Sequence, residues 1–387
     1  MIKKLGIPKE VKQDEGRVAL IPEHITQFTG LADVFVETQA GVGSGFTDED
    51  YKQAGAKIVS SSEELYGTAQ IICKVKEPQP EEFELLNSDH VLFGYLHLAS
   101  NLSLTKILLE KKLTGIATEM IMSGKEYPLL IPMSKIAGNL AIQKGMQFLE
   151  YSSKGKGLLL SSISGERNSK VTVIGCGEVG RSSIHKSIQI GASVTAIDIN
   201  EDILNDLKNQ YGENITTLVS GSESATKAIR SADLVVGAVL LPGRKPPIVI
   251  TEEDINSMEK GSVIVDVAID QGGCVEGVKP NTHSEPFEIR SGVIVSAIAN
   301  LPGAVPRTSS IELSTNLQKY VDYLLVENWF DGYKNNESLR PSLQIHNGLL
   351  LSEEVADSLS LTLSKLCLLY TSPSPRDRQK SRMPSSA

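Results

Sequence analysis

The sequence predicts an α/β protein built from two doubly wound domains with a cleft between them. Short β-branched runs alternate with amphipathic stretches along almost the whole chain, which is typical of mostly parallel sheets covered by helices. At 387 residues the chain is too long for one small core and suits two domains. Two long helical patterns, at 134–152 and roughly 307–328, can carry the chain between the domains and back.

The first third of the chain supplies the first domain. Runs of β-branched and aromatic residues predict strands at 32–37, 71–76, 91–97 and 114–120. Amphipathic stretches between them predict helices, such as 47–54 and 102–112.

One long helix is predicted over 134–152, with Ser134 as its N-cap and a Lys- and Gly-rich connector, SKGKG, after it. A second series of strands follows, at 170–175, 192–198, 233–239, 262–270 and 293–300. If the helix at 307–328 returns to the first domain, that domain is discontinuous. We therefore predict a discontinuous first domain of residues 1–133 plus 307–366, a second domain of residues 134–306, and a separate tail of residues 367–387.

The tail differs from the rest of the chain in composition. Residues 370–387 are rich in Ser, Pro and Arg, carry four basic and one acidic residue, and show no hydrophobic periodicity. Such a segment is predicted to be disordered. It resembles translated adapter or vector sequence, with a basic peptide tail as the alternative, and it is left out of the fold prediction.

Composition argues against several classes of function. The net charge of −9 disfavours a nucleic-acid partner, because phosphate binding needs clustered Lys and Arg. No stretch approaches the roughly 20 apolar residues of a membrane span, and the N-terminus lacks a signal-peptide core, so we expect a cytoplasmic protein without a membrane partner. The 4 cysteines form no CxxC and the 6 histidines no HxH or HxxxH, so no protein-bound metal is expected.

A glycine-rich loop is the most informative local motif. In VTVIGCGEVGRSSIHKSIQIGASVTAID (171–198), a β-branched strand leads into Gly175, Gly177 and Gly180 at GxGxxG spacing, and a helix-like segment follows. The first glycine permits the tight turn, the second lets the backbone approach a pyrophosphate, and the third lets helix pack on strand. The motif predicts a Rossmann-like second domain that binds a dinucleotide at a helix N-terminus.

Asp198 ends the next strand and indicates which dinucleotide is bound. Its carboxylate should accept hydrogen bonds from the adenosine ribose hydroxyls. A 2′-phosphate would repel it by roughly 4 kcal/mol at about 4 Å and an effective dielectric of 20. The following residues, INED, include no arginine to offset this, so NAD is predicted over NADP.

Seven motifs in one order resemble alanine dehydrogenase over about residues 1–366. They are GIPKEVKQDEGRVALIPE (6–23), VETQAGVGSGFTDEDY (36–51), KVKEP (74–78), YLHLA (95–99), PMSKIAG (132–138), VDVAIDQGGCVEG (265–277) and ANLPGAVPRTS (299–309). The resemblance implies NAD-dependent oxidative deamination of L-alanine to pyruvate and ammonium, and the reverse reaction. It also implies a two-domain protomer with a deep cleft, assembled as a homohexamer.

The resemblance also implies roles for particular residues. Arg17 and Lys76 would bind the substrate, and His97 and Asp270 would be the acid/base pair. Besides the three glycines and Asp198, the residues implied to line the cofactor are Ser134, Val179, Ser220, Val239, Leu240, Val267, Ala268, Ile269, Asp270, Lys279, Ile298, Ala299, Asn300 and Leu301.

Four positions depart from the usual family pattern. Lys135 stands where glutamate is frequent, Asn139 where arginine is frequent, Ile203 where lysine is frequent, and Lys279 where arginine is frequent. These departures bear on cofactor affinity more than on the type of reaction.

The substrate residues suit amino-acid oxidation chemically, although each has an alternative. Arg17 can grip a carboxylate with its planar fork, or it can form a surface or interface ion pair. Lys76 can polarise a developing carbonyl oxygen. Lys74 has the same strand parity, so spacing alone does not choose between the two lysines; the motif chooses Lys76.

The two residues of the acid/base pair are the last residues of two predicted strands. The imidazole of His97 can deprotonate a water that attacks the imine and protonate the departing amine, or it can be a buried packing residue. Asp270 leads into a glycine turn where it can face the nicotinamide, or it can bond to its own turn. Asp266 is four residues deeper on the same strand and is interpreted as structural.

Two other functions fit the cofactor loop. A transhydrogenase-like nucleotide-binding domain would exchange hydride only with a partner and would need no Arg17/Lys76/His97 set. A catalytically silent NAD-binding regulator would bind NADH and turn over no amino acid.

Overall fold

The computed structural model describes residues 3–161, 169–239 and 246–364. Within them the chain forms two mostly parallel sheets covered by helices, which confirms the predicted α/β class with two doubly wound units. The predicted tail at 367–387 and the predicted cofactor residue Leu240 lie outside the described residues.

Fifteen strands are defined in the described residues. In chain order they are β1 (Lys3–Ile7), β2 (Ala32–Glu37), β3 (Lys57–Val59), β4 (Ile71–Cys73), β5 (Val91–Gly94), β6 (Thr114–Ala117), β7 (Lys170–Ile174), β8 (Ser193–Asp198), β9 (Ile215–Val219), β10 (Leu234–Gly237), β11 (Val263–Asp266), β12 (Glu288–Arg290), β13 (Val293–Ser296), β14 (Leu343–His346) and β15 (Leu349–Leu350). Most are buried on both faces, as expected of parallel strands between two helical layers.

Twelve α-helices accompany them in the same residues. They are α1 (Pro22–Ile25), α2 (Asp48–Gln53), α3 (Ser62–Thr68), α4 (Leu102–Lys111), α5 (Leu130–Phe148), α6 (Glu178–Gln189), α7 (Glu201–Tyr211), α8 (Glu223–Arg230), α9 (Glu252–Ser257), α10 (Pro306–Leu325), α11 (Trp329–Asn335) and α12 (Glu353–Leu359). Side chains cap several of them; Thr47 and Thr251 form capping boxes at α2 and α9, which satisfy amide groups at those helix starts.

The first sheet has the order β15-β14-β6-β5-β4-β1-β2-β3. Its six parallel strands, β1 to β6, come from the first third of the chain. Strand β14 pairs antiparallel with β6 after the chain has passed through the second sheet. Helix α10 makes that return possible, because its Leu313, Leu317 and Val321 pack in the core of the first sheet.

The second sheet has the order β12-β13-β11-β10-β7-β8-β9, parallel except for β12. In both sheets the chain winds outward to one side and then returns to the other side of its first strand. The direction therefore reverses between β1 and β4 in the first sheet and between β7 and β10 in the second. Ligands of open α/β sheets bind at the carboxyl ends of strands beside such reversals.

Several predicted strands are too long at their carboxyl ends. The runs predicted at 71–76, 91–97 and 262–270 end as strands at Cys73, Gly94 and Asp266. Beyond those points the chain leaves the sheet, in the last case as a 3-10 turn over Val267–Gln271. The apolar pattern continues past the strands because these turns are packed against the core.

The predicted N-cap at Ser134 is wrong, because α5 begins at Leu130 and places Ser134 inside the helix. Pro132 lies in the first turn of α5, where proline is tolerated because its missing N–H has no partner to lose. The short strands β1, β3, β9, β12, β14 and β15 were not predicted. The domain boundaries at 133/134 and 306/307 stay a prediction.

No helix of the described segments is long and apolar enough to cross a membrane. The same segments contain no group of three or more His, Cys, Asp or Glu side chains that could hold a metal ion.

Candidate active site

The predicted substrate residues meet residues of the second sheet. The guanidinium Nη2 of Arg17, on the loop after β1, donates to Asn300 Oδ1 at 2.7 Å, and Asn300 follows β13. The Asn300 backbone N–H donates to Asp270 Oδ1 at 3.1 Å. Lys76 lies close enough to Arg17 and Asp270 for both charges to act on its pKa. Four polar groups from the two sheets therefore converge on one place.

Arg17 is 3 % exposed and is held by an internal ion pair. Its Nε and Nη2 donate to the two carboxylate oxygens of Glu15 at 2.7 and 2.5 Å. Burial opposes the charge of Arg17, but the hydrogen bonds and charge of Glu15 outweigh it and raise the Arg17 pKa. Nη1 donates to the sulfur of Met133 at 3.3 Å and has no oxygen partner among the described bonds. Nη1 is therefore the edge of the guanidinium left for a ligand carboxylate.

Asn300, which follows β13 of the second sheet, connects to the first sheet through its bond with Arg17 on the loop after β1. It adopts a left-handed backbone conformation with φ +58°, which asparagine tolerates better than most residues. Besides its bond from Arg17, its Nδ2 donates to Glu15 Oε2 at 3.0 Å. The sequence indicated Asn300 only as a cofactor-lining residue and did not indicate Glu15 at all, because an acid two residues before an arginine has no distinctive pattern.

The two candidate lysines have different surroundings. Lys74 is fully buried, with Nζ 2.6 Å from Glu82 Oε1 and 3.4 Å from Glu10 Oε2. Lys76 is half-buried, and no ion pair engages it in the described residues. Burial, reinforced by the charge of Arg17, lowers the Lys76 pKa, while Asp270 opposes that shift. This arrangement favours Lys76 as the ligand-facing lysine.

His97 is not a buried packing residue, because 45 % of its side chain is exposed. It lies three residues beyond β5 in a left-handed conformation with φ +46°. The buried carboxylate of Glu119 accepts the backbone N–H of His97 at 2.7 Å and that of Leu96 at 3.2 Å, and Glu119 Oε1 is 3.8 Å from His97 Nδ1. The Tyr95 ring stacks on the imidazole with 6.1 Å between centroids. Glu119 thus fixes the loop that presents His97, a role that the sequence did not indicate.

The two aspartates near the end of β11 have separate roles. Asp266 is fully buried and accepts the backbone N–H groups of Ala268, Cys274 and Val275 at 2.9 to 3.1 Å. Burial raises its pKa against those bonds. Asp270 is exposed in the 3-10 turn that follows, rather than at a strand end, and its described partner is Asn300 of the neighbouring loop. The structure therefore makes Asp266 structural and leaves Asp270 available to a ligand.

The glycine-rich loop has the geometry that a dinucleotide needs. Gly175 has φ +88°, and a Cβ on Gly180 would lie 1.9 Å from the Gly175 carbonyl oxygen. A Cβ on Gly177 would meet nothing within 4 Å, so open space lies in front of the N-terminus of α6. Asp198 accepts the backbone N–H of Cys176 at 2.7 Å and of Asn200 at 2.9 Å, which places its carboxylate beside that loop.

The remaining predicted cofactor residues lie around this loop or around Asn300. Ser134 is one turn before Gly138, whose Cβ position is 2.3 Å from the Val179 carbonyl oxygen, and the Ser220 N–H donates to the Asp198 carbonyl oxygen at 2.9 Å. Val239 follows β10, and Val267, Ala268 and Ile269 form the turn before Asp270. Ile298, Ala299 and Leu301 flank Asn300, and Lys279 is exposed on a segment whose Asn281 pairs with Ile298.

The positions that depart from the family pattern have ordinary surroundings. Lys135 and Asn139 are exposed on α5, where the Asn139 side chain donates to the Lys135 carbonyl oxygen at 2.9 Å. Ile203 packs at the edge of the second core from α7. Asn139 and Ile203 carry no charge, and no ion pair joins Lys135 to Asp198 in the described part of the chain.

Comparison with known proteins gives consistent matches over most of the chain. Two family models match: "Alanine dehydrogenase/PNT, N-terminal domain" over residues 6–137 and "Alanine dehydrogenase/PNT, C-terminal domain" over residues 141–353. An alanine dehydrogenase of Methanococcus maripaludis is 43 % identical over 360 residues, covering 92 % of this chain and 96 % of that protein. One of Bacillus subtilis is 44 % identical over 357 residues, covering 92 % and 94 %.

Two solved structures are similar as well. An L-alanine dehydrogenase superposes with a TM-score of 0.88 at 39 % identity, covering 92 % of this chain and 99 % of that chain. A transhydrogenase from Sinorhizobium meliloti superposes with a TM-score of 0.77 at 24 % identity, covering 91 % and 99 %, which is a likeness of fold.

Proposed function

The chain belongs to the alanine dehydrogenase/PNT family, and from that premise we propose that it catalyses the reversible, NAD-dependent oxidative deamination of L-alanine to pyruvate and ammonium. The observation that carries the proposal is the convergence of Arg17, Lys76, Asp270 and Asn300 at the carboxyl edges of the two sheets. A cofactor-binding domain alone would not need that set.

The described residues fit a nicotinamide dinucleotide, which family membership implies. Open space in front of Gly177 and the first amides of α6 suit a pyrophosphate, and the Asp198 carboxylate suits a ribose diol. We propose NAD, because a 2′-phosphate would meet that carboxylate. When bound, NAD supplies the nicotinamide ring that accepts a hydride from the substrate Cα.

The substrate residues bind and orient the amino acid. Arg17 Nη1 binds the carboxylate while Glu15 and Asn300 hold the rest of the guanidinium in place. The Lys76 ammonium stabilises negative charge on the oxygen of the carbinolamine and of pyruvate. The carboxylate of Asp270, close to Asn300, positions the substrate ammonium or the attacking water.

His97 moves the protons. In the direction of deamination, starting from the neutral amine of alanine, it takes a proton from the water that adds to the iminium carbon and passes that proton to the amine nitrogen. It then takes the hydroxyl proton of the carbinolamine as the C–N bond breaks, which releases ammonia and leaves the pyruvate carbonyl. Its partial exposure allows exchange of that proton with solvent. Glu119 holds the loop in place during both transfers.

The test is reduction of NAD by the purified protein with L-alanine at alkaline pH. D-alanine, glutamate and NADP are run as controls, and the assay is repeated on a version that ends before residue 367. Turnover with NAD and L-alanine alone supports the proposal. Binding of NADH without turnover in both versions would favour the silent regulator or the transhydrogenase-like domain.

We also propose a homohexamer in the cytoplasm, from the family alone. Light scattering coupled to size-exclusion chromatography measures the assembly directly. A monomeric, active enzyme would contradict the hexamer without affecting the proposed reaction.

As the pH is raised, kcat/KM for pyruvate should begin to fall before the pH reaches 10.5, the ordinary pKa of a lysine. Because the pKa of Lys76 is lowered, its ammonium loses the proton earlier as pH rises. The measurement is kcat/KM for pyruvate against pH for the wild type and for Lys76→Arg, whose guanidinium stays charged. The arginine variant should lack this alkaline loss, and identical profiles would contradict the prediction.

Asp198→Asn should narrow the preference for NAD over NADP about 5-fold or more, because a like-charge contact costs on the order of 1–4 kcal/mol. The asparagine keeps an oxygen for the N–H of Cys176 or Asn200. The ratio of kcat/KM for the two cofactors checks it. Glu213→Gln, which removes a fully exposed acid in the same domain, should leave that ratio unchanged.

A further inference from the structure

Four buried polar side chains lie together next to the substrate residues but take no part in the proposed chemistry. Lys74 is bound between Glu82 and Glu10, and the Tyr66 hydroxyl donates to Glu82 Oε1 at 2.7 Å. The Lys74, Glu10 and Glu82 side chains are 0, 2 and 4 % exposed. Burial of ion pairs gives little net stability, since desolvation offsets the attraction. Stability alone therefore does not explain why these charged side chains are buried beside the substrate residues.

Glu10 differs from Glu82 in what else it binds. Its Oε1 accepts the backbone N–H of Val75 at 2.6 Å, and its Oε2 lies 3.4 Å from the backbone nitrogen of Lys76. On the other side of the same peptide, the Val75 carbonyl oxygen accepts the Tyr95 N–H at 3.1 Å. The backbone that leads into Lys76 is therefore held from both sides.

The position of Glu10 in the fold explains how it reaches this segment. Glu10 follows β1, and Lys74 to Lys76 follow β4, the neighbouring parallel strand. The reversal of the first sheet lies between these two strands, so their carboxyl ends open toward the ligand side. One carboxylate there contacts both the buried lysine and the backbone of the half-buried one.

We propose that Glu10 is a positioning residue. It retains Lys74 in the interior and fixes the Val75–Lys76 backbone, so that Lys76 and not Lys74 faces the substrate. The inference rests on the proposed function, because it assigns Lys76 to the substrate. Glu10 itself touches no reacting atom. It acts through the backbone from which the long Lys76 side chain extends.

A misplaced ammonium would stabilise the developing oxygen charge less well, and misplacement by about 1 Å can cost up to about 100-fold in rate. Glu10→Gln keeps the size of the side chain and removes one acceptor oxygen. We expect kcat/KM for pyruvate to fall about 10- to 100-fold while the dissociation constant of NADH stays unchanged.

Asp233→Asn is the matched control. Asp233 also accepts a backbone N–H, that of Lys170 at 2.8 Å, and a lysine ammonium, that of Lys156 at 2.8 Å. It is 2 % exposed, but it lies at the amino end of β10, away from the ligand edge. Loss of stability from a buried carboxylate should appear in both variants, whereas loss of pyruvate use should appear only in Glu10→Gln.

A double-mutant cycle separates action through Lys76 from a general effect. In a Lys76→Met background, Glu10→Gln should lower kcat/KM by no more than about twofold, because the group it positions is gone. A loss as large as in the wild-type background would overturn the proposal. A wild-type kcat/KM for pyruvate in the Glu10→Gln single variant would also overturn the proposal.

Glu10→Asp provides a second variant if Glu10→Gln does not fold. It keeps the charge beside Lys74 but draws the oxygens away from the Val75 and Lys76 amides. Loss of pyruvate use with an unchanged melting temperature supports positioning, and failure of both variants to fold would show a core role and overturn the proposal. The wild-type rate in the same assay tests the proposed function separately; its absence would remove both inferences.

Discussion

His97→Asn is expected to lower kcat about 100- to 10,000-fold, the usual range for losing a general acid and base. The substitution suits the site, because asparagine accepts the left-handed backbone that His97 adopts and the Glu119 bonds go to backbone N–H groups. The loop should therefore keep its shape while the imidazole is lost. Steady-state kinetics in both directions measure the effect, and NADH binding should be unchanged.

His185→Asn is the control for this variant. His185 is exposed on α6 and bonds to Tyr211 and Gln189, away from the substrate residues. Its replacement should leave kcat within about twofold of the wild type, as expected for a surface change. Near-normal turnover of His97→Asn would remove His97 from the mechanism.

Gly180→Ala is expected to destabilise the second domain by about 1–3 kcal/mol, the usual cost of overpacking. The new Cβ would lie 1.9 Å from the Gly175 carbonyl oxygen, which is backbone and has no flexible end to move aside. Helix α6 must shift away from the loop, so NADH affinity should fall at least about tenfold, which equals 1.4 kcal/mol of binding free energy. Thermal melting and a fluorescence titration with NADH measure the two effects.

Gly177→Ala separates binding from folding. Its φ is −72°, and its Cβ would meet no atom within 4 Å, so the melting temperature should stay near that of the wild type. The methyl group would occupy the space in front of α6, so NADH affinity should still fall. Equal melting temperatures for the two alanine variants would contradict the steric account of Gly180.

The sequence predicted most of the second unit because its strands are rich in β-branched residues and most are separated by clear helices. It failed where local pattern is short or misleading. Strands β14 and β15 have 4 and 2 residues and are defined by their pairing beyond β6, which no local pattern contains. The start of α5 was misplaced by four residues because Ser134, a residue type that favours N-caps, lies inside the helix.

The sequence can indicate a candidate site residue where that residue belongs to a motif, but not where it acts through a neighbour. Arg17, Lys76, His97 and Asp270 were indicated by motif. The carboxylates that hold them could not be, because Glu15, Glu10 and Glu119 are ordinary acids in the sequence. Only the fold brings Glu119 to the amide of His97, 22 residues away, and Glu10 to that of Val75, 65 residues away.

The return of the chain to the first sheet has a consequence for synthesis. The second sheet uses strands within 170–296, whereas the first sheet stays incomplete until β14 at 343–346 pairs with β6. Domains usually complete in order from the N-terminus as they leave the ribosome, and here we expect the order to be reversed. Until then β6 presents an unpaired edge, which is a template for aggregation. Ribosomes that stall between the two points would release a chain with one finished sheet and one open edge, a substrate for chaperones and proteases.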